Sequence, residues 1–225
     1  MKSKYAHFEK RFPQLSERAR EILCASPACH DWDHTQRVLN LARHLARVEG
    51  ADPIVVEFAS VLHDIGRPDE LADQGRTCHA HRGAEIAGKL LGDVGIADEA
   101  FTTLVADCVR THRYRRRQGG KPANIEAAVV FDADKLDSIG AVGIGRAFHF
   151  AGRIGARLHN SRDAALSSES YSHEDSAYRE YLVKLQYIRD RLLTKEGRRI
   201  AARRHEFMVL FFDQICREAN GEDLG

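Results

Sequence analysis

A chain of 225 residues with 43% apolar side chains can bury one substantial core, so a single domain spanning residues 1–225 is expected. The 34 basic and 33 acidic residues leave a formal charge of +1, which excludes a whole-chain field that would draw in polymeric nucleic acid or an anionic membrane. Cys24, Cys29, Cys78, Cys108 and Cys216 contain no Cys-x-x-Cys pair, which argues against a disulfide framework and a thiolate zinc site and for a reduced compartment. The N-terminal MKSKYAHFEKRFPQL carries charges where a secretory signal needs its apolar stretch, and no run approaches the roughly 18 apolar residues of a membrane span. A cytoplasmic location is therefore expected.

The pattern is helical almost throughout. From His34, apolar Val38, Leu41, Leu45 and Val48 recur at steps of four and three, predicting an amphipathic helix that ends near Gly50. Asp52 and Pro53 then form an N-cap and first turn for a helix with Val55, Phe58 and Leu62 inward, which delivers His63 and Asp64 at its C-terminal end. Gly66 and Pro68 stop that helix and open a polar connection through Gly75, and helical patterns resume over His79 to Leu91 and Ala97 to His112. Asn124 reads as the N-cap of a helix carrying Ala127, Val130, Phe131, Asp134 and Ser138 on one face, with Asp132 projecting to nearly the opposite side. The glycine-rich AVGIGRAFHFAGRIG follows as another helix, closing a core of about residues 20–152. Residues of about 157–175, including SSESYSHEDS, read as an irregular loop. Two C-terminal helices over about 176–220 follow, one through Tyr181, Leu185, Ile188 and Leu192, the other through Phe207, Leu210, Phe211 and Ile215.

His34, His63, Asp64 and Asp134 stand out as four ligand-type residues brought to inward helix faces. A carboxylate on an apolar face is costly unless a cation or strong donors compensate it, and inward side chains of a helical bundle are a common way to build a metal site. Imidazole and carboxylate together suit a divalent ion such as Mn, Fe, Co, Ni or Zn; Mg is admitted, though not in an all-oxygen cage. Such an ion lowers the pKa of bound water and neutralises charge on a phosphoryl oxygen. Asp64, ranked ahead of Asp31, is the candidate acceptor for the water's proton. Arg37, one turn beyond His34, and Lys135, beside Asp134, are the first candidates to bind substrate phosphate, with Arg146 weaker. The run Arg113, Arg115, Arg116 and Arg117 reads first as a solvated basic loop and secondly as a cationic rim drawing in a nucleotide. It carries no accompanying nucleic-acid-binding motif.

The ordered set HDWDHTQRV, VLHDIGRP, DADKLDSIGAVGIGRAF and the terminal TKEGRRIAARRHEFMVLFF resembles the HD-domain superfamily of metal-dependent phosphohydrolases, and within it the small stand-alone bacterial HD hydrolases. The resemblance covers most of residues 20 to 218 and implies an all-α, HD-type helical bundle. It implies His34, His63, Asp64 and Asp134 as metal ligands, and Asp134 in preference to Asp132 because it directly precedes Lys135 and Leu136. Some HD proteins hold a second metal through two further histidines. Here His79 or His81, then His112, are the candidates for a second metal or for substrate contact: HAHRG resembles the histidine-then-glycine segment of two-metal members with His79 in register, but THRYR lacks the paired histidines those members usually show. The implied function is hydrolysis of a phosphate ester of a nucleotide or other small phosphorylated metabolite. The alternatives are an HD-type di-iron oxygenase, which needs both extra histidines as ligands, and a non-catalytic nucleotide-binding regulatory module. The sequence leaves the oligomeric state open.

Overall fold

A computed structural model describes residues 3–24, 32–113 and 122–224. Among the described residues the regular structure is helical, with no strand. The helices are α1 (Phe12–Leu23), α2 (Trp32–Glu49), α3 (Pro53–Leu62), α4 (Arg67–Ala72), α5 (His79–Asp93), α6 (Glu99–Thr111), α7 (Ile125–Asp137), α8 (Gly140–Arg153), α9 (Arg162–Ser167), α10 (Ala177–Val183) and α11 (Lys195–Asn220). Short 3-10 segments cover Ala6–Arg11 and Leu185–Arg191. The chain divides into two compact units, residues 1–134 with 193–197, and residues 135–192 with 198–225.

In the first unit α3 is the central element. Val55, Val56, Phe58, Ala59, Val61 and Leu62 are fully buried, as expected of a helix that is apolar on every side. It packs against α1, α2 and α6, while α5 lies along α6 and α4 packs on α5. Asp52 caps α3 through Ile54 N at 3.0 Å, with Pro53 in the first turn where no N–H is needed, as the sequence predicts. Gly50 ends α2 at φ +76°, the left-handed C-terminal position that favours glycine. Asn124 accepts from Ala127 N at 2.8 Å and caps α7.

Three stretches differ from the sequence reading. Pro68 does not hold the chain open: it sits in the first turn of α4, where proline is tolerated, so the polar connection contains a short helix. The 157–175 stretch contains α9, capped by Ser161, and is tied down by Asn160, which accepts from Ser176 Oγ at 2.7 Å and donates to the Glu174 carbonyl at 2.9 Å. Polar side chains supply there what an apolar stripe supplies elsewhere. The expected helix through Tyr181 to Leu192 breaks at Lys184 (φ −143°, ψ −57°) into α10 and a 3-10 segment. Leu185 and Ile188, three apart, match a 3-10 repeat as well as an α-helical one.

Within the second unit Tyr181 stacks on Phe212 at 4.3 Å, and Arg204 donates to the Leu136 carbonyl. In the first unit, Asp132 organises the return segment: its carboxylate accepts from Leu193 N at 2.9 Å, Thr194 N at 2.7 Å and Thr194 Oγ1 at 2.7 Å. The Thr194 hydroxyl in turn accepts from Gly197 N at 3.0 Å, capping α11. A side chain at position 197 would run into Asp132 Oδ2, which explains the glycine.

Gly66 lies where the backbones leading into α4 and α5 meet. A Cβ there would collide with the His79 carbonyl and stand 2.7 Å from Gly83 N, both backbone atoms. Gly66→Ala is therefore expected to cost about 2–3 kcal/mol of unfolding free energy as the two helices are forced apart. Urea denaturation checks this, and an unchanged midpoint would show that the contact relaxes without cost.

Candidate metal centre

The first unit gathers six polar side chains into one buried cluster. His34 comes from the start of α2, His63 and Asp64 from the end of α3, His79 from the start of α5, His112 from the end of α6 and Asp134 from α7. Five of them are 2% exposed or less, and Asp134, with 15% of its side chain exposed, is the most open. Ligand-type atoms of His34, His63 and Asp134 lie within 4.8 Å of one another, and so do those of Asp64, His79 and His112.

Asp64 faces both groups. Its Oδ2 is 3.7 Å from His34 Nε2 and 3.6 Å from His63 Nε2, while its Oδ1 is 3.5 Å from His79 Nε2 and 3.4 Å from His112 Nε2. Asp134 Oδ1 completes the first group at 3.6 Å from His34 Nε2.

The imidazoles are oriented from behind. His63 Nδ1 donates to the Ser60 carbonyl at 2.7 Å and His112 Nδ1 to the Val109 carbonyl at 2.6 Å, each three residues back. His79 Nδ1 instead donates to Glu70 Oε2 at 2.7 Å. With the proton on Nδ1, each neutral ring presents the Nε2 lone pair to the cluster. Burial holds His63 below its ordinary value, against the pull of Asp64 and Asp134. Burial likewise brings His79 down to about 4, against the opposing effect of Glu70 and Asp64. Burial opposes ionisation of Glu70, but His79, Arg67 and Arg113 outweigh it and hold its carboxyl at about 2.

These features fit divalent cations. His63 and His34 bring their Nε2 atoms to 3.2 Å, and His79 and His112 bring theirs to 3.3 Å. Where both rings carry their proton on Nδ1, as His79 and His112 do, the Nε2 lone pairs face each other in a dry interior and repel. Nitrogen ligands about 2.1 Å from a common ion sit roughly 3 Å apart, so a cation between them would turn the repulsion into coordination.

The structure brings together all four predicted ligands, His34, His63, Asp64 and Asp134, and resolves the choice at α5. His79 enters the cluster. His81, two residues on, does not, and its Nε2 is buried without a hydrogen-bond partner among the described residues. Asp132 lies apart on the Thr194 segment. Arg37 is half-buried one turn along α2 from His34 and Lys135 is buried on α7, while Arg146 forms an ion pair with Asp137 at 2.7 Å. Asp31 and Arg115 to Arg117 lie outside the described residues.

Sequence reasoning missed Glu70 and Arg67, and took Arg113 only as part of a basic loop or cationic rim. Arg67 Nε donates to Asp64 Oδ1 at 3.0 Å and its Nη1 to Glu70 at 2.8 Å, while Arg113 Nη2 reaches Glu70 Oε1 at 3.0 Å. Only the acidic residue's position within the polar stretch after HDIG hinted at it.

A helical unit that carries His34, the His63–Asp64 pair and Asp134 on converging helices is the HD arrangement, and the chain belongs to the HD-domain superfamily: residues 31–139 match the HD domain family. It is similar to the uncharacterized protein YpgQ of Bacillus subtilis, 34% identical over 215 residues that cover 95% of this chain and 96% of that protein. The crystal structure of Bacillus subtilis YpgQ in complex with ADP matches at a TM-score of 0.73 and 31% identity, covering 94% of this chain and all of that one. An HD-superfamily hydrolase from Bacillus thuringiensis matches at a TM-score of 0.71 and 25% identity, covering 94% of this chain and 98% of that one. No described helix is long and apolar enough to cross a membrane.

Proposed function

We propose that the protein is a phosphohydrolase that uses two divalent cations to hydrolyse a phosphate ester of a nucleotide or other small phosphorylated metabolite. The observation that carries this is Asp64, whose two oxygens each face a separate pair of inward-turned histidines. The ADP complex of YpgQ supports a nucleotide as the substrate class.

Bound divalent cations would make water nucleophilic at neutral pH and stabilise charge on the phosphoryl oxygens. The protein supplies the rest. Asp64 serves chiefly as a holding group, because each of its oxygens faces two histidine nitrogens and its Oδ1 accepts from Arg67 Nε. The carboxylate of Asp134, the most open of the cluster, is then better placed than that of Asp64 to accept the proton of the attacking water. Arg37, one turn along α2 from His34, and Lys135, next to Asp134, are the candidates to meet the phosphoryl oxygens. Mn, Fe, Co, Ni and Zn all suit the mixed nitrogen and oxygen donors.

Asp134→Ala is expected to remove bound metal, measured by elemental analysis, and hydrolysis across a panel of nucleotides, cyclic nucleotides, sugar phosphates and an aryl phosphate. Unchanged turnover with the metal retained would defeat the assignment. The second histidine pair also meets the precondition for a di-iron oxygenase. Anaerobic loading with iron followed by an oxygen-consumption assay separates the two readings, since a phosphohydrolase consumes no oxygen.

A further inference from the structure

Three of the inward-turned histidines, His63, His79 and His112, are not held in the same way. His63 and His112 lean on carbonyls of their own helices, three residues back, so their orientation comes with the helix. His79 leans on a side chain nine residues away, Glu70 on α4. Glu70 also balances two guanidinium groups, Arg67 at 2.8 Å and Arg113 at 3.0 Å.

The ligand sets differ in charge as well. The His34–His63 side has Asp134 and Asp64 Oδ2. Among the described residues the His79–His112 side has Asp64 Oδ1 alone, which already accepts Arg67 Nε at 3.0 Å. A cation there has one shared carboxylate oxygen in front of it and two arginines near it, with Glu70 between them as the compensating charge.

We propose that Glu70 is a positioning residue that sets the affinity of the His79–His112 cation position alone, so that the two positions load in sequence, His34–His63–Asp134 first. This rests on the two-cation reading above. Glu70 acts through the orientation of His79 and through the charge it sets against Arg67 and Arg113. Loss of its charge removes both effects at the His79–His112 position.

The test is titration of metal-free protein with Mn2+, followed by calorimetry and electron paramagnetic resonance. The wild type is expected to bind two ions with distinct affinities and, at two equivalents, to show the broadened signal of a coupled pair. Glu70→Gln is expected to keep the first affinity within about twofold and weaken the second by about 10–100-fold, the usual effect of removing a carboxylate behind a ligating histidine. Its signal at two equivalents should be that of isolated ions, and Glu70→Asp should restore part of the second affinity. Arg113→Gln removes a positive charge while leaving Glu70 on His79, and is expected to tighten the second position severalfold. A wild type that binds one ion overturns the two-cation reading. A wild type that binds two, with Glu70→Gln leaving both affinities unchanged or lowering both alike, overturns the role of Glu70. If Glu70→Gln does not fold, Arg113→Gln decides alone: unchanged or weaker second binding counts against the proposal.

Discussion

Asp64→Asn is expected to lower turnover by about 10^3-fold or more and to empty both cation positions, while leaving the helical fold in place. The side chain keeps its shape but loses the charge that both histidine pairs face through Oδ2 and Oδ1. Losing metal-derived stabilisation of about 4 kcal/mol in the transition state corresponds to roughly that rate effect. Arg67 retains Glu70 as its partner, so no buried cation is stranded. Steady-state kinetics, metal analysis and circular dichroism check the three parts together. A variant with full metal content and turnover within tenfold of the wild type would show that Asp64 is not the shared ligand.

Asp132→Ala is expected to have the opposite profile: a loss of about 3–5 kcal/mol in stability, with metal binding by the remaining folded fraction little changed. Asp132 is fully buried and accepts from two backbone N–H groups and one hydroxyl. Truncation leaves those donors without their acceptor in a dry interior, and hydrogen bonds to a charged group are the strong kind. Chemical denaturation with metal present and absent measures the loss. A change under about 1 kcal/mol would mean that water replaces the carboxylate. The two aspartates stand two residues apart on α7 and face different surroundings, Asp132 the Leu193–Thr194 backbone and Asp134 the histidine cluster.

That the two carboxylates face different surroundings is legible in the sequence. A two-residue step on a helix sends side chains to nearly opposite sides, and the DADKLD context singled out Asp134. The α2 stripe, the Asp52–Pro53 start of α3 and the placing of His63 and Asp64 at its end were equally readable, because each rests on local spacing or capping. Pro68 misled because proline marks a helix start as well as a stop. The α9 stretch was obscured because Asn160, Ser176 and Glu174 find one another across sequence gaps that no periodicity records. The second histidine pair was legible as candidates, and the HAHRG resemblance put His79 in register, but that His81 stays out of the cluster depends on which side of α5 faces it. Glu70 was hidden for the same reason, since its partners His79 and Arg113 are set by tertiary structure.

The latch between Asp132 and Thr194 bears on how the chain reaches its native state. Residues 193–197 belong to the first unit although 58 residues of the second unit intervene, so the first unit is discontinuous in sequence. Contacts of such wide separation must meet the entropy of closing a long loop before they are rewarded. During synthesis the helices before Asp134 can pack early, whereas the carboxylate of Asp132 must wait for Leu193 and Thr194 to emerge. At about 5–20 residues per second that interval lasts several seconds. Refolding is accordingly expected to show a fast phase as the α3 core forms and a slower one as the return segment docks, with Asp132→Ala removing the slow phase and leaving the fast one.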